Sequence, residues 1–298
     1  MAITRVTQNM MMDRSLSSLQ TALGRLAKTQ EQLATGRIIN RPSDSPTETT
    51  AAMRLRASIS DQTQFGRNAE DGLGWLGQID TSLMSMLSEV RTAYDRALQG
   101  ASSGSVSPAA REAFAVEVDQ IRQSAIAGAN TTYLGRPVFG GLTPDKTAYD
   151  QDGVLQRPDA AGDVMRTVAN GVQIKVNVNG SDVFGPDGSN LFNALEALSN
   201  HLRAGDTAGL QGDVEKIASQ MDVITTTLAD VGTRYNRVDN AVQSAKDVTL
   251  SLQTSLSNVE NVDLPRAMVD LQMQEVAFQA ALATTARVMQ PSLLDFLR

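Results

Sequence analysis

The sequence contains no cysteine, which excludes disulfide cross-links and thiolate metal sites. Aromatic residues are also scarce, at 4%, against an ordinary hydrophobic content of 41%. Compact enzyme cores lean on Phe, Tyr and Trp. A chain that draws its apolar side chains from Leu, Val, Ile, Met and Ala is better suited to long helical seams. The single histidine, His201, has no second imidazole to share a metal, and no G-x-S-x-G nucleophile turn is present. An excess of positive charge is missing as well. The net charge is −7 and the pI about 4.8, with no Lys/Arg cluster to follow a phosphate backbone, so nucleic acid is excluded as the main partner. No apolar run approaches the ~20 residues that span a bilayer, so membrane insertion is not expected. The N-terminal stretch lacks the basic and apolar regions of a Sec signal, and secretion would take another route.

What the chain does have is helical periodicity. Met12, Leu16, Leu19, Leu23, Leu26 and Leu33 keep a 4-3 spacing with Gln30 in the one polar seam position, and Gly36 follows as a stop. Arg41-Pro42-Ser43-Asp44 reads as a turn. Ser45, Pro46 and Glu48 then form a capping box with proline at its tolerated first position. The helix this opens carries Leu55, Ile59, Ala69, Leu73, Leu76, Leu83, Leu87, Val90 and Tyr94, and fades near Gly100. Ser107-Pro108 opens a third helix, ending near Asn130, with Phe114, Val118, Ile121 and Ala125 on one face.

Between about residues 130 and 190 the character changes. Gly, Pro and Asp become frequent, and Val172, Ile174, Val176 and Val178 alternate with polar residues at a strand-like period of two. A short helix through Leu191, Leu195, Leu198 and Leu202 breaks at Gly205. A long stripe follows from Leu210 to Val259 without a slip in its 4-3 alternation, which marks a coiled-coil element. Leu264, Met268, Leu271, Phe278, Leu282 and Met289 repeat the theme, Pro291 stops it, and the chain ends on Leu293, Leu294, Asp295, Phe296, Leu297 and Arg298. Termini usually fray as polar tails, so apolar seams at both ends point to use between molecules. The long helix is expected to bury its stripe within the monomer.

Three patterns imitate chemistry. Gly72-Leu73-Gly74-Trp75-Leu76-Gly77 matches G-x-G-x-x-G, but the helical stripe runs straight through it and no strand precedes it, as a dinucleotide site requires. Asp150-Gln151-Asp152-Gly153 resembles part of a calcium loop but lacks its spacing and closing Glu, and reads as a polar turn. His201 lies near a helix end, where an interaction with the last carbonyls is the expected role. No catalytic residue, cofactor or metal is expected.

Several segments carry a resemblance. Thr4 to Met10, Leu33-Ala34-Thr35-Gly36-Arg37-Ile38-Ile39-Asn40, Arg67-Asn68-Ala69-Glu70-Asp71-Gly72 and Asn130-Thr131-Thr132-Tyr133-Leu134-Gly135 stand in the order found in flagellins. Leu271 to Leu282 and the Leu293–Leu297 tail resemble the far end of that family. The similarity covers roughly residues 1–141 and 206–298. Filament-forming members usually read S-A-x-D-D-A-A-G-L after the first helix. The proline-bearing Arg41-Pro42-Ser43-Asp44-Ser45-Pro46 is similar instead to members that join hook to filament.

The resemblance implies a mainly α fold, an elongated antiparallel helical bundle and coiled coil with a small β-rich inserted domain and both termini paired at one end. The expected division is a terminal coiled-coil domain (1–44 and 260–298), a helical bundle (45–131 and 206–259) and an outer insert (132–205). It also implies terminal segments that stay disordered until assembly, and export through the flagellar type III channel to the cell exterior. The implied partners are other copies of the chain in a ring, a hook-side hook-associated protein, flagellin and an export chaperone. The expected assembly seam comprises Leu16, Leu19, Leu23, Leu26, Leu33, Leu264, Met268, Leu271, Phe278, Leu282, Leu293, Leu294, Phe296 and Leu297. A short filament-forming flagellin and an intracellular coiled-coil signalling protein are the rival readings. An enzyme within residues 142–190 has no residue constellation to support it.

Overall fold

Helices begin where the capping residues dictate. The computed structural model describes the backbone of residues 8–102 and 106–289, and side chains at 10, 13–102 and 106–286. Seven α-helices occur among the described residues: α1 (Gln8–Thr35), α2 (Pro46–Ala101), α3 (Pro108–Ala129), α4 (Gly180–Phe184), α5 (Leu191–Ala204), α6 (Thr207–Glu260) and α7 (Leu264–Met289). The fold is mainly α, with a small β part. Ser45 Oγ accepts from the Glu48 N–H at 3.4 Å, and Ser107 Oγ accepts from the Ala110 N–H at 3.2 Å, each with proline at the first helical position. At the other kind of boundary, α5 ends on Gly205 with φ +68°, the left-handed conformation that lets the chain turn sharply into α6.

The chain divides into two compact units, residues 1–60 with 250–298, and residues 61–249; the division falls within α2 and α6. In the larger unit the core comes from one face of each helix: Leu76, Ile79, Leu83 and Val90 of α2, Val118 and Ala125 of α3, and Leu195, Leu198 and Leu202 of α5. α3 packs on α5. On α6, Leu210, Ile217, Ile224, Val231 and Val238 recur at every seventh residue and are fully buried. The alternate stripe positions Val214, Met221 and Leu228 are only partly buried, and Tyr235 is exposed. The stripe predicted within the monomer is therefore used on one edge more than the other.

The strands are short: β1 (Thr132–Tyr133) with β2 (Arg136–Pro137), and β3 (Met165–Ala169) with β4 (Val172–Lys175), each pair antiparallel. The period-two pattern at 172–178 predicts a longer strand than β4. Ile174, Val176 and Val178 do face inward, but the ladder ends at Lys175. Beyond it the Asn177 side chain takes over, accepting from the Val164 N–H at 2.7 Å and donating to the Gly162 carbonyl at 2.7 Å. Aromatic residues, scarce overall, are concentrated here: Phe139, Tyr149, Phe184 and Phe192 pack edge-to-face or tilted, with centroids 5.1–5.8 Å apart.

Asn130 organises the entry to this region. Its Oδ1 accepts from the N–H groups of Ala148 and Tyr149, both at 2.8 Å, and its Nδ2 donates to the Tyr149 carbonyl at 2.9 Å. Asn130→Ala leaves two backbone donors without this acceptor. The expected loss is about 2–3 kcal/mol in unfolding free energy, read from a urea titration; a loss under about 0.5 kcal/mol would show that water replaces the amide at no cost.

Candidate assembly surface

The ends of the described chain pair with each other. α1 and α7 pack together antiparallel, fixed in register by Thr29 Oγ1 donating to Gln274 Oε1 at 3.1 Å. Besides Glu31 and Gln32 near its end, the positions of α1 withdrawn from solvent are Ser15, Leu19, Ala22, Leu26, Thr29 and Leu33. On α7 they are Ala267, Leu271, Gln274, Phe278, Ala281 and Thr285. Both sets keep the 4-3 spacing of a coiled-coil face.

This face is turned from the leucine stripe expected on α1. Leu19, Leu26 and Leu33 lie on it, but the intervening positions are Ala22 and Thr29 rather than Leu23 and Gln30. The physical reason is visible at Thr29, which is 8% exposed. Its hydroxyl meets Gln274 across the seam and also bonds the Arg25 carbonyl of its own helix, while Gln30 stays in solvent. Ser15, Ala22 and Thr29 alternate with Leu19, Leu26 and Leu33 along the face, and the leucines at 16 and 23 are left outside.

The seam residues expected from sequence thus fall into three groups. Leu19, Leu26, Leu33, Leu271 and Phe278 are partly buried in the α1–α7 face. Leu16, Leu23, Leu264, Met268 and Leu282 are exposed, at 45–56% of their surface. Leu293, Leu294, Phe296 and Leu297 lie outside the described residues, as do the segment Thr4–Thr7 and the side chains of Met12 and Met289. Sequence reasoning missed a further exposed set on α7: Val269, Met273 and Val276, at 56–66%. Their i, i+4, i+7 spacing was the available signal, hidden because the first stripe on the same helix absorbed the reading.

The α1–α2 turn is built by Asp44. Its Oδ2 accepts from the N–H groups of Arg41 at 2.9 Å and Asn40 at 3.2 Å, and its Oδ1 pairs with Lys28 at 3.1 Å. The Arg41 N–H above all, with the Lys28 ammonium, holds the carboxyl below its ordinary range. The segment before the turn is joined to the α6–α7 link. Ile38 N–H donates to the Glu260 carbonyl at 2.7 Å, Val262 N–H donates to the Gly36 carbonyl at 3.0 Å, and Arg56 pairs with the buried Glu260 carboxylate at 2.7 Å. The Leu33–Asn40 motif is therefore a two-stranded clasp between the ends of α1 and α6.

The other motifs have structural homes. In Arg67–Gly72, Asn68 Nδ2 donates to the Thr167 carbonyl at 2.9 Å and Asp71 Oδ2 accepts from Arg166 Nε at 2.6 Å, so the motif grips the β3–β4 hairpin. Gly72, Gly74 and Gly77 all sit inside α2. A Cβ on Gly72 would lie 3.0 Å from Val176, and one on Gly74 would overlap the Tyr133 ring, so Gly72 and Gly74 serve close packing and not phosphate binding. Asp150 makes a polar turn, accepting from the Asp152 and Val154 N–H groups at 3.0 and 2.8 Å. His201 differs from expectation. Its Nδ1 lies 2.6 Å from the buried Asp213 carboxylate of α6, brought round by the turn at Gly205, so it does not serve the last carbonyls of α5 through its ring. Among the described residues no group of three or more acidic, His or Cys side chains could hold a metal, and no helix is long and apolar enough to cross a membrane.

Comparison with known proteins agrees with this architecture. Residues 6–143 match the bacterial flagellin N-terminal helical region, and residues 214–297 match the bacterial flagellin C-terminal helical region. The flagellar hook-associated protein 3 of Salmonella typhimurium is 24% identical, the match covering 99% of this chain and 100% of that one. A flagellin of Bacillus subtilis is 21% identical over 96% of each. Among solved structures, Bacillus cereus FlgL is similar with TM-score 0.60 at 22% identity, covering 68% of this chain and 99% of its own. The flagellar junction protein FlgL of Legionella pneumophila gives 0.56 at 13% identity, covering 70% and 100%. With both helical regions matched in order across most of its length, the chain belongs to the flagellin family, whose members are structural proteins and not enzymes.

Proposed function

We propose that this protein is the subunit of the bacterial flagellum that joins hook to filament and on which flagellin begins to polymerise. The observation that carries this reading is the α1–α2 turn, where Arg41-Pro42-Ser43-Asp44 is closed by the Asp44 carboxylate and runs directly into the proline-started α2. The end-to-end match to a protein named flagellar hook-associated protein 3 supports it. The chain acts as an adaptor. Copies form a ring between a hook-side hook-associated protein and the first flagellins, using the exposed apolar sides of α1 and α7. Residues 1–44 with 260–298 form the assembly domain, 45–131 with 206–259 the bundle, and 132–205 the outward insert. An export chaperone holds the chain before it travels through the flagellar export channel to the cell exterior.

Deleting the gene tests the assignment. Hooks should still assemble and flagellin should be secreted into the medium without polymerising. Normal filaments in that strain would sink the junction role. The similarity to Bacillus subtilis flagellin favours a second reading, a short filament subunit. Sheared appendages separate the two, since a filament subunit dominates their mass and a junction subunit is a trace component.

A further inference from the structure

We propose that α7 of a second copy of this chain docks into the groove beside the α1–α2 turn, joining subunits head to tail through an apolar contact flanked by an Arg37–Asp270 pair. The proposal rests on the assembly reading above and names what one part of that surface meets.

The groove has a volume of about 260 Å³ and is lined by the turn and the first turns of α2, with Glu260 beside them. Ile39, Pro42 and Met53 supply apolar walls, and Met53 is 64% exposed. Arg37, Arg41 and Arg56 also line it. Arg41 pairs with Glu31 and Arg56 with Glu260, whereas Arg37 has no ion partner among the described residues. With Arg41 and Arg56 already paired, the groove offers one unpaired guanidinium, Arg37, among its apolar walls. Its complement is an apolar ridge bordered by acid.

α7 carries such a ridge. Val269, Met273 and Val276 lie on the side opposite Ala267, Leu271, Gln274 and Phe278, which face α1. Asp270 flanks the ridge beside Met273 and has no ion partner among the described residues. Arg266, near the start of the helix, is the one basic side chain described on α7.

The ridge and the groove of one chain cannot meet. The groove abuts Glu260, close to where α7 begins at Leu264, while Met273 stands roughly 14 Å along the helix at about 1.5 Å per residue. A rigid helix cannot return its own ridge to its own groove, so the ridge must come from another copy. Different surfaces then meet on the two partners. Such a heterologous contact closes into a ring or propagates as a helical array, and does not stop at a two-fold dimer.

The absence of cysteine makes the contact directly testable. Full-length chains carrying Met53→Cys and Met273→Cys are mixed at high concentration and oxidised. A Met53→Cys and Met84→Cys mixture serves as control, because Met84 is exposed at 57% but lies off the ridge. The expected heterodisulfide exceeds the control by about tenfold. Adding Arg37→Glu to the groove chain should lower it about tenfold, and Asp270→Lys on the ridge chain should recover it. No excess over control, or a yield indifferent to charge reversal, would overturn the docking; a flagellin or a hook-side protein would then be the groove's occupant. Filament growth in a deletion strain supplied with the wild-type chain is scored in parallel. Filaments without the cross-link overturn the docking and leave the junction role intact, whereas a cross-link without filaments does the reverse.

Discussion

Replacing Phe184 by alanine should lower the unfolding free energy by about 3–5 kcal/mol, the range for deleting a buried aromatic side chain. Phe184 is fully buried, and its ring lies 5.1 Å from Phe139, 5.8 Å from Tyr149 and 5.5 Å from Phe192. It sits on α4, a helix of five residues that has little stability of its own. The ring, with the fully buried Val183 beside it, is therefore what holds that segment against its surroundings. Aromatic pairs add about 0.5–1.5 kcal/mol each beyond area burial, so losing the shared member costs more than its own transfer free energy. The cluster also has little freedom to close over the gap. Gly180 and Gly153 already press against the rings of Tyr149 and Phe192, so neither ring can slide inward without meeting backbone. The measurement is a urea titration of the full chain with the slope unchanged. A loss below about 1 kcal/mol would mean that the cluster relaxes freely, against the close contacts seen at both glycines.

That cluster shows what composition alone conceals. An aromatic content of 4% pointed to long helical seams, and α2 and α6 meet that expectation. It did not indicate that four of the aromatic side chains would gather between residues 139 and 192, because assembling them depends on loops with no period to read. Local signals fared best where the physics is local. The caps at Ser45 and Ser107 and the stop at Gly205 act over three or four residues, and each was legible. The inward alternation at Ile174, Val176 and Val178 was legible too, while the early end of β4 was not, since it depends on Asn177 bonding a segment thirteen residues away. His201 illustrates the same limit. Asp213 lies twelve positions further on in another helix, and only the turn between the helices makes the two neighbours. On α1 the period was legible, while which of its residues face α7 was not. A heptad stripe says that a helix has an apolar side, and the partner decides which flank of it is covered.

Because the structure separates the two flanks of α1, two substitutions three residues apart should behave differently. Leu26 is partly buried against α7, and Leu23 is 52% exposed beside that face. Leu26→Asp puts a carboxylate into the seam one turn from the Thr29–Gln274 hydrogen bond, and Arg266, near the start of α7, is the one basic side chain described on the facing helix. About 2–3 kcal/mol of α1–α7 pairing should be lost, the cost of burying an unpaired polar group in a site that retains some access to water. Leu23→Asp changes a side chain already half in solvent and should change pairing by less than about 0.5 kcal/mol. Thr29→Cys with Gln274→Cys, in a chain otherwise free of cysteine, reports the paired state through the rate of internal disulfide formation. Leu26→Asp should slow that rate by about 30- to 150-fold and Leu23→Asp by no more than about twofold. Filament growth should fail in both, for different reasons: one subunit no longer pairs its own ends, and the other pairs them but offers a charge where a neighbour expects a leucine. Normal filaments from the Leu23→Asp chain would remove Leu16 and Leu23 from the assembly surface and leave that role to the exposed side of α7.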